Sequence, residues 1–514
     1  MSQSHSQHTR KRSTMPINTT PTTPPSLFLD HENEVMYHTT TTTNATNTST
    51  SNIKHATLPT LTTHLTHPSL SSSSLDPLFT ETFLLTYPTF TTAHELSDLL
   101  IQHLHLTPPP TLSGGELHRW TEQIQTPIRV RTINVLILWI EKYWMEEGEC
   151  SLDLLRYIHT ELRGLVEYVP TATTLLTIIE ERIKGTGPGR LSTPPTTATI
   201  STSTSKNRKK IKLLDLDEME FARQLTLLES GLYAGIRPGE CLDKAWQRKS
   251  AARRGSTATG SSANTSTNTS TDRDESGIKA IINHSNHLSR WIVEMILGQK
   301  EMRKRVAVVK FFIGVADKCK ILQNYATTTT IISALGTTPI YRLQRTWSHL
   351  PPRYRTLLAD MQSLMSSERN FAKYRDTLRG ASLPCIPFLG VYLTDLTFLT
   401  DGMPDFAPMG PTPNHNHNHT PDSVPDPLPP PAPAEQTTST QTKLINFHKR
   451  SKLANVIREI RRFQHTHYTF VPVGEVQELI VRGVQSVKRS IVKEGGEDGD
   501  GDGERMYEWS LKVE

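Results

Sequence analysis

The chain has 514 residues, a length that allows three or four domains, yet only 35% are hydrophobic and 7% aromatic, too few to fill that many cores. Lys and Arg outnumber Asp and Glu by 56 to 51, a near-neutral +5 that gives no support to a nucleic-acid binder, whose basic charge is concentrated on one face. The four cysteines, Cys150, Cys241, Cys319 and Cys385, form no CxxC pair, which excludes a disulfide framework and a cysteine-rich zinc site and fits a reducing compartment.

Residues 1–54 are rich in Thr, Ser and Asn, with an unbroken threonine run from Thr39 to Thr43. Their β-branched residues lack alternating apolar partners, so disorder is expected there rather than strand. The N-terminus has no apolar h-region, Ser2 excludes N-myristoylation, and Leu511–Glu514 is not a prenylation signal. The longest strongly apolar stretch, Ile133–Ile140, is far short of a membrane span. A cytoplasmic protein is expected.

Residues 55–184 carry helical signals. Thr92-Ala93-His94-Glu95 reads as a capping box opening a helix with Leu96, Leu99, Leu100 and Leu104 on one side. Ile133, Leu136, Ile137, Ile140 and Trp144 form a second stripe. Residues 185–211 read as a linker. Its Gly185-Thr186-Gly187-Pro188-Gly189 fails as a phosphate loop: it follows a helix, no Lys-Ser/Thr comes after it, and Pro188 lacks an N–H donor. The basic run Lys206–Lys212 reads as solvated charge.

Residues 212–490 form the second helical region. Phe221, Leu225, Leu228 and Leu232 make one stripe; Leu288, Trp291, Ile292, Met295 and Ile296 make another; Val309, Phe312, Ile313 and Ala316 repeat the period. Two low-complexity insertions, 251–276 and 407–442, interrupt it. The second holds His415, His417 and His419, with no neighbours to fix a metal, and Pro430–Pro433, a minimal PxxP for an SH3-type partner. Tyr468–Val473 is the one strand candidate. Residues 491–514 read as an acidic tail; Asp498–Gly503 starts like a calcium loop, but Trp509 stands where the twelfth position needs a bidentate Glu. No HExxH, GxSxG or catalytic Cys/His spacing is present, so no metal, cofactor or covalent chemistry is expected. The fold class is all-α: two helical bundle modules with a long disordered arm and insertions.

Taken in order, the ordered segments resemble a Ras-type guanine-nucleotide exchange factor. Thr57–Leu65 (TLPTLTTHL), Phe83–Thr92 (FLLTYPTFTT) and Arg129–Trp144 (RVRTINVLILWIEKYW) are similar to the family's N-terminal exchanger motif. Phe221–Ser230 (FARQLTLLES), Val306–Cys319 (VAVVKFFIGVADKC), Pro339–Trp347 (PIYRLQRTW), Pro384–Leu396 (PCIPFLGVYLTDL) and Lys443–Ile457 (KLINFHKRSKLANVI) are similar to its catalytic exchange domain. The resemblance implies a partner, a Ras-family small GTPase, that is lipid-anchored and recruits the chain to the inner face of the plasma membrane.

It also implies a mechanism. A helical hairpin, here Asp395–Phe406 with a supporting helix from Lys443, is wedged beside the phosphate and Mg²⁺ site, and a hydrophobic groove holds the second switch region. Thr397 falls at the intruding position and Asp401 at the acidic one, where an anion disfavours nucleotide phosphates. Arg223, Thr226 and Asn286 match polar groove residues, and Tyr341 and Phe388 match its aromatic walls.

Two departures bear on activity. Thr327–Thr330 replaces an apolar stretch in a core helix, lowering helix propensity and apolar burial. Met403 stands where the family usually has Asn, next to the hairpin tip. They leave a second reading, a degenerate member that scaffolds a GTPase without accelerating exchange. A nucleic-acid-binding regulator using Lys206–Lys212 is a third, without a recognised binding fold.

Overall fold

Polar caps start the first helices. Thr57 Oγ1 accepts the Thr60 N–H ahead of α1 (Leu58–Thr66). Asp76 Oδ1 accepts the N–H groups of Leu78 and Phe79 ahead of α2 (Pro77–Thr86). Thr92 Oγ1 accepts the Glu95 N–H at the start of α3 (Ala93–Leu104). Each cap satisfies donors the helix itself cannot, worth roughly 1 kcal/mol. Glu95 does not close the expected box; its carboxylate takes the Thr91 hydroxyl instead. A reciprocal box does form at Ser113 and Glu116, opening α4 (Gly114–Trp120).

The computed structural model describes residues 35–39, 51–67, 76–166, 169–185, 211–248, 277–407, 443–493 and 500–514. From α4 the backbone stays helical through a π-type turn at Thr121–Gln125, α5 (Thr126–Leu138) and a second π-type turn at Trp139–Tyr143. Then come α6 (Gly148–Arg163) and α7 (Thr171–Ile183). The second region holds α8 (Glu218–Ala234), α9 (Gly277–Leu297), α10 (Met302–Ile321), α11 (Tyr325–Gly336), α12 (Thr338–Tyr341), α13 (Gln344–Ser348), α14 (Pro352–Leu364) and α15 (Ala372–Arg379). It ends with α16 (Leu389–Gly402), α17 (Phe447–Arg462), α18 (Gly474–Lys493) and α19 (Asp500–Val513). The described chain is predominantly helical, as its apolar periods require.

Among the described residues two hydrophobic cores form, but they do not divide where the chain does. The first joins Leu84, Leu96, Leu136 and Trp139 of the N-terminal helices to Tyr392 and Leu396 of α16 and Leu453 and Ile457 of α17. The second is built on Phe221, Trp291, Phe312 and Ile331. The hairpin helices thus share a core with the N-terminal region.

Three expectations are corrected. Residues 35–39 and 51–56, expected to be without strand, form β1 (Val35–Thr39) and β2 (Ser51–Ala56). With β3 (Phe406–Ala407) and β4 (Leu444–Asn446) they make an antiparallel sheet in the order β1-β2-β4-β3, in which β2 meets β4 at His55–Asn446 and Ala56–Ile445. The partner lies almost a whole chain away, so no local alternation announces it. Tyr468–Val473 is not a strand. Its backbone is held by the Gln224 side chain, which donates to Val471 O and accepts the Val473 N–H, doing what a neighbouring strand would do. The C-terminal residues are helical rather than a solvated tail: α19 buries Met506 in the second core, with Trp509 packed against it. Glu514 carboxylate oxygens accept from Thr346 Oγ1 at 2.8 Å and from the Thr346 N–H at 3.3 Å. The linker residues 186–210, the insertions 251–276 and 408–442 and residues 494–499 lie outside the described residues, as do the histidine tract and the PxxP.

Candidate functional site

The hairpin is built from α16 and α17. Along α16, Val391, Tyr392 and Leu396 are buried, while Thr394, Phe398 and Asp401 are exposed at helical spacing and share one outer face. Thr397 is half-buried beside that face, and its hydroxyl donates to the Leu393 carbonyl at 2.7 Å. Phe398 is 70% exposed, a large aromatic surface left in solvent. The Asp401 carboxylate meets Lys244 Nζ at 2.6 Å.

Ion pairs fix this hairpin at its base and tip. Arg375 holds Asp395 through two parallel bonds of 2.8 Å, the planar fork that adds geometric definition to charge. At the tip, the fully buried Arg450 donates to Asp405 at 2.6 Å and to the Thr89 carbonyl at 3.3 Å, and its guanidinium lies over the Phe90 ring. Thr89 and Phe90 belong to the FLLTYPTFTT segment, so that segment touches the hairpin directly. Partial burial acts to raise the Asp405 carboxyl, but bonds and charge from Lys449 and Arg450 outweigh it and hold it below its ordinary value.

Beside the hairpin lies a groove of about 190 Å³ lined by Ile281, Ser285, Asn286, Ala326, Phe388 and Leu393, among others. Asn286 and Phe388 therefore both line it. Phe388 is positioned from three sides: its N–H donates to Tyr374 Oη at 2.8 Å, its ring packs on Phe371, and Gly390 leaves it room. A Cβ at Gly390 would fall 2.4 Å from Phe388 Cζ. A larger cavity of about 480 Å³ on α14 and α15 is polar, with Glu368, Arg369 and Lys373 in its wall, and does not adjoin any predicted site residue.

The other predicted residues are placed differently. Arg223 is exposed on α8, where it pairs with Glu220 at 3.3 Å and lies over the Phe470 ring. Thr226 is fully buried, which corrects its assignment as a surface contact. Its hydroxyl donates to the Ala222 carbonyl and accepts from Asn324 Nδ2, so it braces α8 against α11 behind the groove. Tyr341 stands 69% exposed on α12, outside the lining of this 190 Å³ groove.

The threonine run is accommodated. Thr328, Thr329 and Thr330 donate to the carbonyls of Asn324, Tyr325 and Ala326, and Thr327 Oγ1 accepts from Asn324 Nδ2. Back-bonding to the preceding turn serves Thr328 to Thr330, and the Asn324 amide serves Thr327.

Sequence reasoning missed Phe398, Lys244 and the pair Glu229–His284. Phe398 was legible as an aromatic three residues before Asp401 on one helical face. Glu229 and His284 lie 3.4 Å apart on α8 and α9, Glu229 buried and His284 mostly so. The distance suggests an ion pair, but burial pushes the carboxyl up to about 8 and the imidazole down to about 4. Both shifts favour the uncharged forms, because the interior penalises either charge. Among the described residues, no cluster of His, Cys, Asp and Glu could hold a metal ion, and no helix is long and apolar enough to cross a membrane.

Comparison with known proteins places the two regions. Residues 220–451 match the RasGEF domain and residues 52–160 the RasGEF N-terminal motif. The chain is 34% identical to cell division control protein 25 of Candida albicans over 415 residues, which covers 79% of this chain and 27% of that protein. It is 29% identical to cell division control protein 25 of Saccharomyces cerevisiae over 471 residues, covering 86% and 26% of the two chains. It is 30% identical to the Ras guanine nucleotide exchange factor efc25 of Schizosaccharomyces pombe over 454 residues, covering 87% and 39%. The chain thus spans well under half the length of these relatives.

Proposed function

The chain belongs to the RasGEF family, and we propose that it promotes GDP release and GTP loading on a Ras-subfamily small GTPase. The observation that carries this reading is the hairpin: an outer face of Thr394, Phe398 and Asp401 with Thr397 at its edge, fixed by buried cations and set beside the Asn286–Phe388 groove. The action is physical rather than covalent. An exchanger that binds the nucleotide-free GTPase better than the loaded one favours the state in which the nucleotide is gone. A thousandfold faster release needs about 4 kcal/mol of that differential binding.

In this reading Phe388 and Asn286 hold the switch segment, Arg223 supplies a cationic contact, Tyr341 adds an exposed aromatic contact on α12, and Thr397 and Asp401 face the nucleotide site. A carboxylate there repels phosphate oxygens and competes for the groups that bind them. The family's partner is a Ras-family GTPase; recruitment to the inner face of the plasma membrane would come through that GTPase. The Pro430–Pro433 motif is a candidate for an SH3-type contact and no more than that.

Release of a fluorescent GDP analogue from Ras, Rap and Ral type GTPases tests the proposal. Acceleration with at least one is expected. Stable complexes with no acceleration on any of them would instead favour the scaffold reading. The bonded threonine hydroxyls support the active reading, because the run leaves the helix beneath the groove without a buried unpaired hydroxyl.

A further inference from the structure

The connection from α8 to α9 brings a cation onto the hairpin's acid. Asp243 and Lys244 are consecutive non-glycine residues in the left-handed region, with φ of 47° and 52°. Such a backbone persists only where its surroundings fix it. Here Cys241 and Leu242 precede it and Trp246 follows it, all buried. Upstream, Arg237 pairs with Glu147 of the N-terminal region and with Glu240 at 2.9 Å. Glu240 in turn accepts the Gly277 and Ile278 N–H groups at 3.1 and 3.0 Å, capping α9. Lys244 therefore projects from a fixed segment, and its ammonium lies 2.6 Å from Asp401 Oδ1 in the last turn of α16. A cation is favoured there twice, by the carboxylate and by the negative end of the helix dipole.

We propose that Lys244 is a charge mask on Asp401, a positioning residue that keeps the carboxylate occupied in the free protein and must release it when a GTPase docks. The proposal rests on the reading of Asp401 as the acid that faces the nucleotide site. A masked carboxylate presents less negative charge to phosphate, and its partner ammonium attracts the phosphate the hairpin should disfavour. The pair is open to solvent, with 31% of the Lys244 and 56% of the Asp401 side chain exposed, so it can open without a large barrier. Exposed pairs of this kind are worth up to ~1 kcal/mol, which corresponds to about a fivefold change in rate or affinity.

The test uses the full chain and release of a fluorescent GDP analogue from a GTPase on which it is active. Lys244→Met keeps the Cβ and chain length at the same φ, so it removes charge without changing backbone strain; Lys244→Gln is the alternative should Met fold poorly. Release should rise by up to about fivefold in low salt, and the gain should shrink as salt screens the pair. Lys244→Arg should behave as the parent. In an Asp401→Asn background Lys244→Met should change nothing. A fall in release with Lys244→Met, or an equal gain in the Asp401→Asn background, overturns the mask. If Asp401→Asn slows release and Lys244→Met is silent, the mask alone fails. If Asp401→Asn itself leaves release unchanged, the reading of Asp401 fails and takes the mask with it.

Discussion

Lys449 Nζ lies 2.7 Å from the main-chain carbonyl of Met403, the cap residue that follows α16. The same ammonium donates to the Thr400 carbonyl at 2.9 Å and pairs with Asp405 at 2.9 Å, while only 1% of Lys449 is exposed. A cation from α17 thereby satisfies carbonyls that the C-terminus of α16 cannot satisfy itself and offsets its dipole. This explains how a Met is tolerated at position 403: the contact that joins the two arms uses its backbone, which any side chain supplies.

Replacing Lys449 by Met should therefore loosen the hairpin. It leaves the carbonyls of Thr400 and Met403 without their donor, while the half-exposed Asp405 keeps Arg450, a change of about 1.5–3 kcal/mol for lost hydrogen bonds to a charged group. The thermal midpoint should fall clearly, and GDP release with it. A midpoint within about 2 °C of the parent would contradict the role given to this contact.

Phe398→Ser should lower exchange without lowering stability. The ring is 70% exposed, so truncation removes little buried area, and its loss matters only when a partner covers it. The expected result is at least a tenfold (~1.4 kcal/mol) loss in release rate at an unchanged thermal midpoint. Undiminished release would take Phe398 off the docking face.

Arg223→Glu should abolish exchange in a protein that still folds. The side chain is exposed, its pair with Glu220 is an i,i+3 surface contact, and the structural loss is about 1 kcal/mol or less. Reversing the charge would also place two like charges together, so Arg223→Ala serves as the milder control. Full activity in a well-folded Arg223→Glu protein would remove Arg223 from the interface.

Glu229→Gln should alter the dependence of stability on pH. The folded-state pKa of Glu229 is raised, from 4.5 to about 8. Its contribution is complete below about 4.5 and is lost as pH rises toward 8, because the unfolded carboxyl gives up its proton more readily. His284 is lowered from 6.5 to about 4, so its contribution is complete above 6.5 and is lost as pH falls through 4. Gln stays neutral and removes only the alkaline loss. The midpoint of the variant relative to the parent should climb between pH 5 and 8, by a few degrees per unit at about 1.4 kcal/mol each. Parallel curves would show that Glu229 is already ionised when folded.

Deleting residues 408–442 with a short Gly/Ser bridge should preserve folding. Ala407 pairs with Leu444 and Phe406 with Ile445, so the two ends of the insertion leave neighbouring strands and a tight turn can close them. Each halving of loop length gains roughly 0.6 kcal/mol. A midpoint several degrees below the parent would show that the insertion contributes to the fold.

The helices and much of the candidate site were legible because both depend on local order. Apolar residues at helical spacing marked α8, α9 and α10, and the motif order singled out Thr397 and Asp401, which lie on α16, and Asn286 and Phe388, which line one groove. Burial was not legible: Thr226 and Arg223 sit three residues apart on α8, yet one is sealed behind the groove by Asn324 and the other faces solvent. The sheet escaped because β2 and β4 owe their form to each other, and α19 escaped because its acidic surface hides one buried row.

By itself the sequence determined the helical class, the two family-like regions and the residue types carried on α16 and along the groove, since periodicity and motif order are properties of neighbouring residues. Only the tertiary structure decided that the hairpin shares its core with the N-terminal region, that Lys449 and Arg450 fix its tip, and that Lys244 sits on Asp401. Those contacts join residues far apart in the chain, and burial and charge pairing between them have no local signature.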